Sequence, residues 1–362
     1  MTTTRGAACC AALALVVGAA GAHTAARPEV AALLQRADTA LAQGQSGVAQ
    51  AAFEQAAALQ HAAHIEVGWV RARMQGGGYR QAIAFAAHAA GAHPDEAEGA
   101  ILYARLLSLG GQQAAAEATL ARARQRLPGD PGLGALTPAD SCRPVARDAT
   151  ADATHDDLSP PTLGDAVPRD ARVVGSALLL DDARHALVPA GLVAGEGTLW
   201  VRNGLGRTRQ AEVVSRDDAT GTALLKLAEA LDLPVPLTRA PRAAFPGSPA
   251  HAVGYRSDGA GRPAWPQLCT GFLGAPPREG GARALGIVVS PGTAGAPVYD
   301  GAGRLVGIVS LGSGDSKPGL ISAHQLGTIP VSADAPNVPL DEIYERALRS
   351  SLQLIRSAVA NK

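Results

Sequence analysis

The chain has 362 residues, enough for two domains with separate cores, and its 32 basic residues are matched by 32 acidic ones. Neutrality with scattered rather than clustered arginines excludes the electrostatic footprint of a nucleic-acid binder and of a protein drawn to anionic membranes. Much of the 47% hydrophobic content is alanine, which suits close helix packing but buries little area per residue.

The first 22 residues read as a signal peptide. Arg5 supplies a positive start, an apolar run extends from Ala7 to Ala20, and Ala20-Gly21-Ala22 is a small-x-small cleavage site before His23. The run is too short to span a bilayer and no later segment reads as transmembrane, so export to the periplasm or beyond is expected. Cys9 and Cys10 leave with the leader, and they stand too early for a lipoprotein signal. The mature chain then holds Cys142 and Cys269, which in an oxidising compartment form either one disulfide or two free thiols.

Residues 28–128 repeat. Gly77-Gly78-Tyr79, Ala82, Ala86, Ala89 and Pro94 recur as Gly111-Gln112-Gln113, Ala116, Leu120, Ala123 and Pro128, with an earlier copy at Gly44, Ala49, Phe53 and Ala56. The helices that precede these copies are expected over roughly 30–43, 63–75 and 95–109, for instance from Val30, Leu33, Leu34 and Ala37 at helical spacing. The pattern resembles the tetratricopeptide repeat. That resemblance implies paired helices whose groove takes a protein or peptide partner. His61, His64, His88 and His93 show no metal-ligand spacing, and no cofactor or metal is expected. Residues 129–170, rich in Pro, Gly, Asp and Thr, read as an extended linker.

From Arg172 the chain changes to short β-rich runs bounded by Gly and Asp, with strands expected over 173–180, 198–202, 211–214, 222–227, 250–253, 285–289, 298–300 and 304–311. The fold class is therefore α plus all-β in two domains, the second (171–336) an antiparallel barrel or sandwich. Leu340, Ile343, Leu348, Leu352 and Ile355 predict a terminal helix within 337–362.

Four stretches in order resemble the trypsin-like serine proteases of the HtrA type. Gly175-Ser176-Ala177-Leu178-Leu179-Leu180 is similar to the opening strand, and 186–195 to the segment bearing the catalytic His. Residues 216–227 are similar to the segment bearing the catalytic Asp, and Gly292-Thr293-Ala294-Gly295-Ala296-Pro297 to the nucleophile loop. The resemblance implies a trypsin-like double β-barrel, and it puts the triad at Gly191, Gly221 and Ala294. None of these can attack, accept a proton or orient a base, which is what Ser, His and Asp do in that family. Gly292 and Gly295 remain where the oxyanion loop lies, whereas Ala296 stands in place of a glycine and would distort the loop if that position needs positive φ.

A degenerate triad implies a pseudoprotease that binds rather than cuts. The alternative is a displaced constellation, with Ser290 as nucleophile and His185 or His251 as base. His185 lies about 20 Å from Gly191 along an extended strand, and Ser290, Asp217 and Asp218 lie about 10–13 Å from the positions they would replace. Proton transfer needs roughly 3 Å. Thr293 is adjacent to Ala294 but is expected to face away, and His324 matches a segment without a triad role.

Overall fold

A computed structural model describes residues 27–135, 142, 159–231, 236–256, 261–276, 282–311, 318–326, 329–333 and 335–358. The signal peptide assigned to 1–22 and the middle of the 129–170 linker lie outside the described residues.

Alanines at helical spacing let neighbouring helices approach closely, and the N-terminal half folds into three antiparallel hairpins. These are α1 (Pro28–Ala42) with α2 (Ser46–Leu59), α3 (Ala63–Gln75) with α4 (Tyr79–Ala92), and α5 (Ala97–Leu109) with α6 (Gln113–Arg126). The recurring residues form their packed faces: Ala49, Phe53 and Ala56, then Ala82, Ala86 and Ala89, then Ala116, Leu120 and Ala123 are all buried. Gly44, Gly77 and Gly111 make the hairpin turns at φ of 74°, 78° and 79°, a left-handed conformation that costs an L-residue with a Cβ about 1–2 kcal/mol. The short α7 (Pro131–Ala135) closes the array, its Leu133 carbonyl accepting both Arg124 Nε and Nη2 at 3.1 and 3.0 Å.

The C-terminal half is two six-stranded barrels. The first takes β2 (Arg172–Leu179), β3 (His185–Pro189), β4 (Leu199–Asn203), β5 (Arg207–Asp217), β6 (Thr222–Leu227) and β13 (Ser351–Arg356) in the order β5-β4-β13-β2-β3-β6, closed by β5–β6 pairing. The second takes β7 (Pro249–Gly254), β8 (Gln267–Leu273), β9 (Arg283–Gly286), β10 (Pro297–Tyr299), β11 (Leu305–Ser310) and β12 (Gly319–Ser322), closed in the order β10-β11-β12-β9-β8-β7. Each encloses its own apolar filling, Ala177, Val188, Leu225 and Leu354 in one, Ala252, Leu273, Val298 and Val309 in the other.

Two sequence-based boundaries are corrected. The expected linker overlaps the barrel domain, because β1 (Leu163–Gly164) pairs in parallel with Arg207 and Thr208 of β5. The expected terminal helix stops at Ser350: α8 (Leu340–Ser350) gives way to β13, which lies between β2 and β4. Leu352 and Ile355 continue the helical spacing only by coincidence. Leu352 and Leu354 point into the first barrel, whereas Ile355 packs outside it against Ala171 and Trp200. A strand buried on both faces shows no alternation to betray it.

Array and barrels share a core. Tyr79 meets Tyr344 of α8 edge-on at 4.4 Å, with the hydroxyls bonded to the carbonyls of Leu106 and Pro266 at 2.9 and 2.7 Å. Burial holds both phenols well above their ordinary pKa. The three turn glycines all face the barrel domain: a Cβ on Gly44, Gly77 or Gly111 would approach Leu163, Arg349 and Leu268 to 2.8, 3.0 and 2.8 Å. Glu345 accepts the Arg80 amide at 2.8 Å, and Arg349 donates to the Gly76 carbonyl at 3.1 Å. Cys142 and Cys269 are bonded, their Cα atoms 5.7 Å apart, which fastens the chain after α7 to β8.

Candidate functional site: the cleft between the barrels

β3 ends at Pro189 and tightens into a 3₁₀-helix over Ala190–Val193, which carries Gly191. β6 begins after a turn in which Asp217 Oδ1 accepts the amides of Ala219 and Thr220 at 2.9 and 3.4 Å, and Gly221 completes that turn at φ 68°. Hydrogen bonding, first from the Thr220 side chain, holds the Asp217 carboxyl below its ordinary pKa. The Ala190 amide donates to the Gly221 carbonyl at 2.9 Å, so Gly191 and Gly221 stand at facing ends of the paired β3 and β6.

The second barrel contributes a 3₁₀-helix over Pro291–Thr293, followed by Ala294 and by Gly295 at φ 87°. The Ser176 amide of β2 donates to the Ala294 carbonyl at 2.7 Å, and the Gly295 amide donates to Val309 at 2.8 Å. A Cβ on Gly175 would meet Leu192 at 2.6 Å and the Ala294 carbonyl at 2.9 Å; one on Gly295 would meet the Ser176 carbonyl at 2.0 Å and Pro189 at 3.1 Å. The Ala190–Gly221 bond thus joins the turns that carry Gly191 and Gly221, and Gly175 lies between Leu192 and the Ala294 carbonyl.

The residues matched to the oxyanion loop have their polar groups turned inward. Thr293 and Ala294 amides donate to the carbonyls of Ser290 and Pro291 at 3.0 and 3.2 Å, and the Gly292 carbonyl accepts Ser176 Oγ at 2.8 Å. The expectation that Ala296 distorts the loop fails, because Ala183 alone among the described non-glycine residues has positive φ. Ala296 is fully buried, with its amide on the Thr293 carbonyl at 2.9 Å.

Residues 164–308 match the family model described as a trypsin-like peptidase domain. The double barrel has a trypsin-like fold. Among solved structures, the Rv3671c protease in its inactive form is similar at 20% identity over 43% of this chain and 83% of that chain, with a TM-score of 0.35. The serine endoprotease from Yersinia pestis is similar at 22% identity over 46% of this chain and 57% of that chain, with a TM-score of 0.38. No curated protein matches. Among the described residues no helix is long and apolar enough to cross a membrane.

Within this trypsin-like domain the displaced candidates do not come together. His185 opens β3, at the end away from Gly191, with Nδ1 2.6 Å from Asp182 Oδ2. Partial burial works to raise the Asp182 carboxyl, but hydrogen bonds from the His185 ring and the Arg184 and His185 amides outweigh it and hold its pKa low. His324 Nδ1 accepts Arg239 Nη1 at 3.0 Å. Ser290 Oγ and Thr293 Oγ1 lie 3.1 Å apart and buried, and no described histidine is bonded to either. His251 on β7 is 8% exposed with Nδ1 unpartnered, and burial holds its pKa down against the pull of Asp300.

Proposed function

We propose that the chain is an exported pseudoprotease, a trypsin-like peptidase domain emptied of its triad and joined to a tetratricopeptide-type array, acting by binding protein or peptide. The observation that carries this reading is that the three cleft positions matched to the family's His, Asp and Ser are Gly191, Gly221 and Ala294. A Cβ added to Gly191 or Gly221 would meet nothing within 4 Å, so no described side chain from elsewhere fills either position as a substitute. Without nucleophile or base the cleft retains hydrogen-bonding backbone alone, and loss of triad members leaves at most roughly 10³–10⁴-fold acceleration over water.

Two features support binding. The array has the helix pairing that elsewhere forms grooves for extended segments. A hollow of about 230 Å³ lies among α4, α5 and α6, where Ala87, Ala90 and Gly91 leave room beside Tyr103 and Arg122. Tyr103 with the Arg122 and Arg126 guanidinium groups, set against the one carboxylate of Glu96, suits a side chain of mixed apolar and acidic character. The displaced-triad reading gains nothing from the buried Ser290–Thr293 pair, to which no described histidine is hydrogen-bonded.

The test is hydrolysis of fluorescent casein by the purified mature protein, beside a variant carrying Gly191→His, Gly221→Asp and Ala294→Ser. We expect no turnover by the native protein and measurable turnover by the restored variant. Turnover by the native protein that survives repeated purification would overturn the proposal.

A further inference from the structure

The connections between hairpins gather a second concentration of polar side chains, at the opposite ends of the helices from the turn glycines. His61 lies between α2 and α3, Glu66 near the start of α3, His88 on α4, and His93 between α4 and α5. Stacking the first three helix pairs side by side brings both connections together. His61 Nε2 is 2.8 Å from Glu66 Oε1, His93 Nε2 is 3.5 Å from Glu66 Oε2, and His88 Nε2 is 3.9 Å from Oε1. One donor atom from each of His61, Glu66 and His93 lies within 4.8 Å of the other two.

Burial makes this more than a surface cluster. Glu66 is 2% exposed, and the His93 side chain is 10% exposed. Glu66 Oε2 and His93 Nε2 are both buried without a hydrogen-bond partner, although they face each other. A buried carboxylate needs a compensating cation, and an unpaired buried donor or acceptor carries a desolvation penalty of about 1–3 kcal/mol. A small cation between the two rings and the carboxylate would satisfy all of these atoms. Ligands about 2.0–2.1 Å from a tetrahedral ion stand roughly 3.3 Å apart, close to the spacings here.

We propose that His61, Glu66 and His93 bind one divalent transition-metal ion, with His88 placed as a fourth donor. Imidazole with carboxylate suits zinc, nickel, copper or iron; magnesium and calcium prefer oxygen throughout. His93 Nδ1 lies 3.7 Å from Glu96 Oε1, the kind of carboxylate that orients a ligating ring from behind. The side chains of His61 and His88 are 60% and 58% exposed, giving the ion an entry path. Its ligands come from two successive connections, so the ion would fix the stacking of the second hairpin on its neighbours.

The test uses the full mature chain, without an affinity tag, stripped with a chelator and titrated with zinc by calorimetry and then with cobalt(II) by visible absorption. We expect one equivalent bound, cobalt d–d bands, and quenching of Trp69, whose ring packs tilted against Phe85 at 4.2 Å, itself 5.5 Å from His88. His61→Ala, on an exposed connection, and Glu66→Gln, both checked for intact fold by circular dichroism, should each weaken binding by at least about tenfold. His64→Ala, an exposed neighbour outside the cluster, should not. Absence of saturable binding by the native chain overturns the proposal and leaves a hydrogen-bonded histidine–carboxylate cluster. So does binding that His61→Ala leaves unchanged.

Discussion

The barrel cleft and the hairpin connections hold opposite inventories. At the cleft, three elements from two barrels meet with tight backbone contacts, yet Gly191, Gly221 and Ala294 offer no titratable group. At the connections, four titratable side chains crowd one point, and two of their atoms are buried without partners. A frame is held by backbone hydrogen bonds and close packing, whatever the side chains at its centre. A polar cluster exists only through its side chains, and burial raises the penalty for leaving any of them unpaired. Substitutions should therefore affect the two regions in different ways.

The largest effect is expected where the cleft frame is tightest. Gly295 combines φ of 87° with a Cβ site 2.0 Å from the Ser176 carbonyl, a backbone atom that cannot swing aside. Gly295→Ala should lower the unfolding free energy by about 3–5 kcal/mol, read from urea denaturation followed by circular dichroism. A loss below about 1 kcal/mol would mean that the two barrels are not locked together through this loop.

Next comes the metal. With free zinc at about a hundred times its dissociation constant, a site present only in the folded chain adds about 2.7 kcal/mol of stability. The unfolding midpoint of the native protein should rise accordingly, and that of His93→Ala should not. An equal rise in both would assign the zinc to other groups and erase the contrast between the two regions.

A histidine in the barrel domain sharpens the comparison further. Burial holds the His251 pKa down, outweighing the opposing pull of the Asp300 carboxylate, so the folded state keeps the ring neutral at pH 7. The unfolded chain takes up its proton near pH 6.5, and the folded chain only at lower pH. Stability from this group is thus complete above about pH 6.5 and is lost as pH falls through the folded value. Between pH 7 and 5, the native protein should lose more stability than His251→Leu does, in paired denaturation series; an equal loss in both would show that this ring stays out of the folding equilibrium.

How much of this was legible in the sequence follows from the same physics. The hairpins were, because Gly44, Gly77 and Gly111 must take left-handed turns and the alanines between them must face a neighbour. Strands with an alternating or branched pattern were legible too. β8 was not, because Thr270 and Gly271 interrupt its apolar run, nor were the short β3 and β12, nor β13, whose residues are almost all buried. The meeting of residues 186–195, 216–227 and 292–297 at one cleft could be expected only through family resemblance, since no local spacing encodes it. The histidine cluster escaped because its ligands sit on four separate elements, none at the close spacing of a local motif. One signal was present: His61 and His93 lie about one repeat apart, each just before the first helix of a hairpin, so stacking must bring them near.

The smallest effect belongs to the emptiest position. Gly191 has no neighbour within 4 Å of an added methyl and does not need positive φ, so Ala loses nothing there and restricts the unfolded chain slightly. Gly191→Ala should change the unfolding free energy by no more than about 0.5 kcal/mol, in the stabilising direction. The near-zero result has a use beyond its size. If the position accepts a side chain freely, a restored variant that folds but stays silent on casein reports on the chemistry of the cleft, including the inward-turned amides of Thr293 and Ala294. A destabilisation above about 1 kcal/mol would instead mean that the space is closed in solution, and silence of the restored variant would then reflect packing. Gly221→Ala separates the two further. It has equal room but φ of 68°, so a loss of about 1 kcal/mol there beside none at Gly191 would attribute the difference to backbone conformation alone.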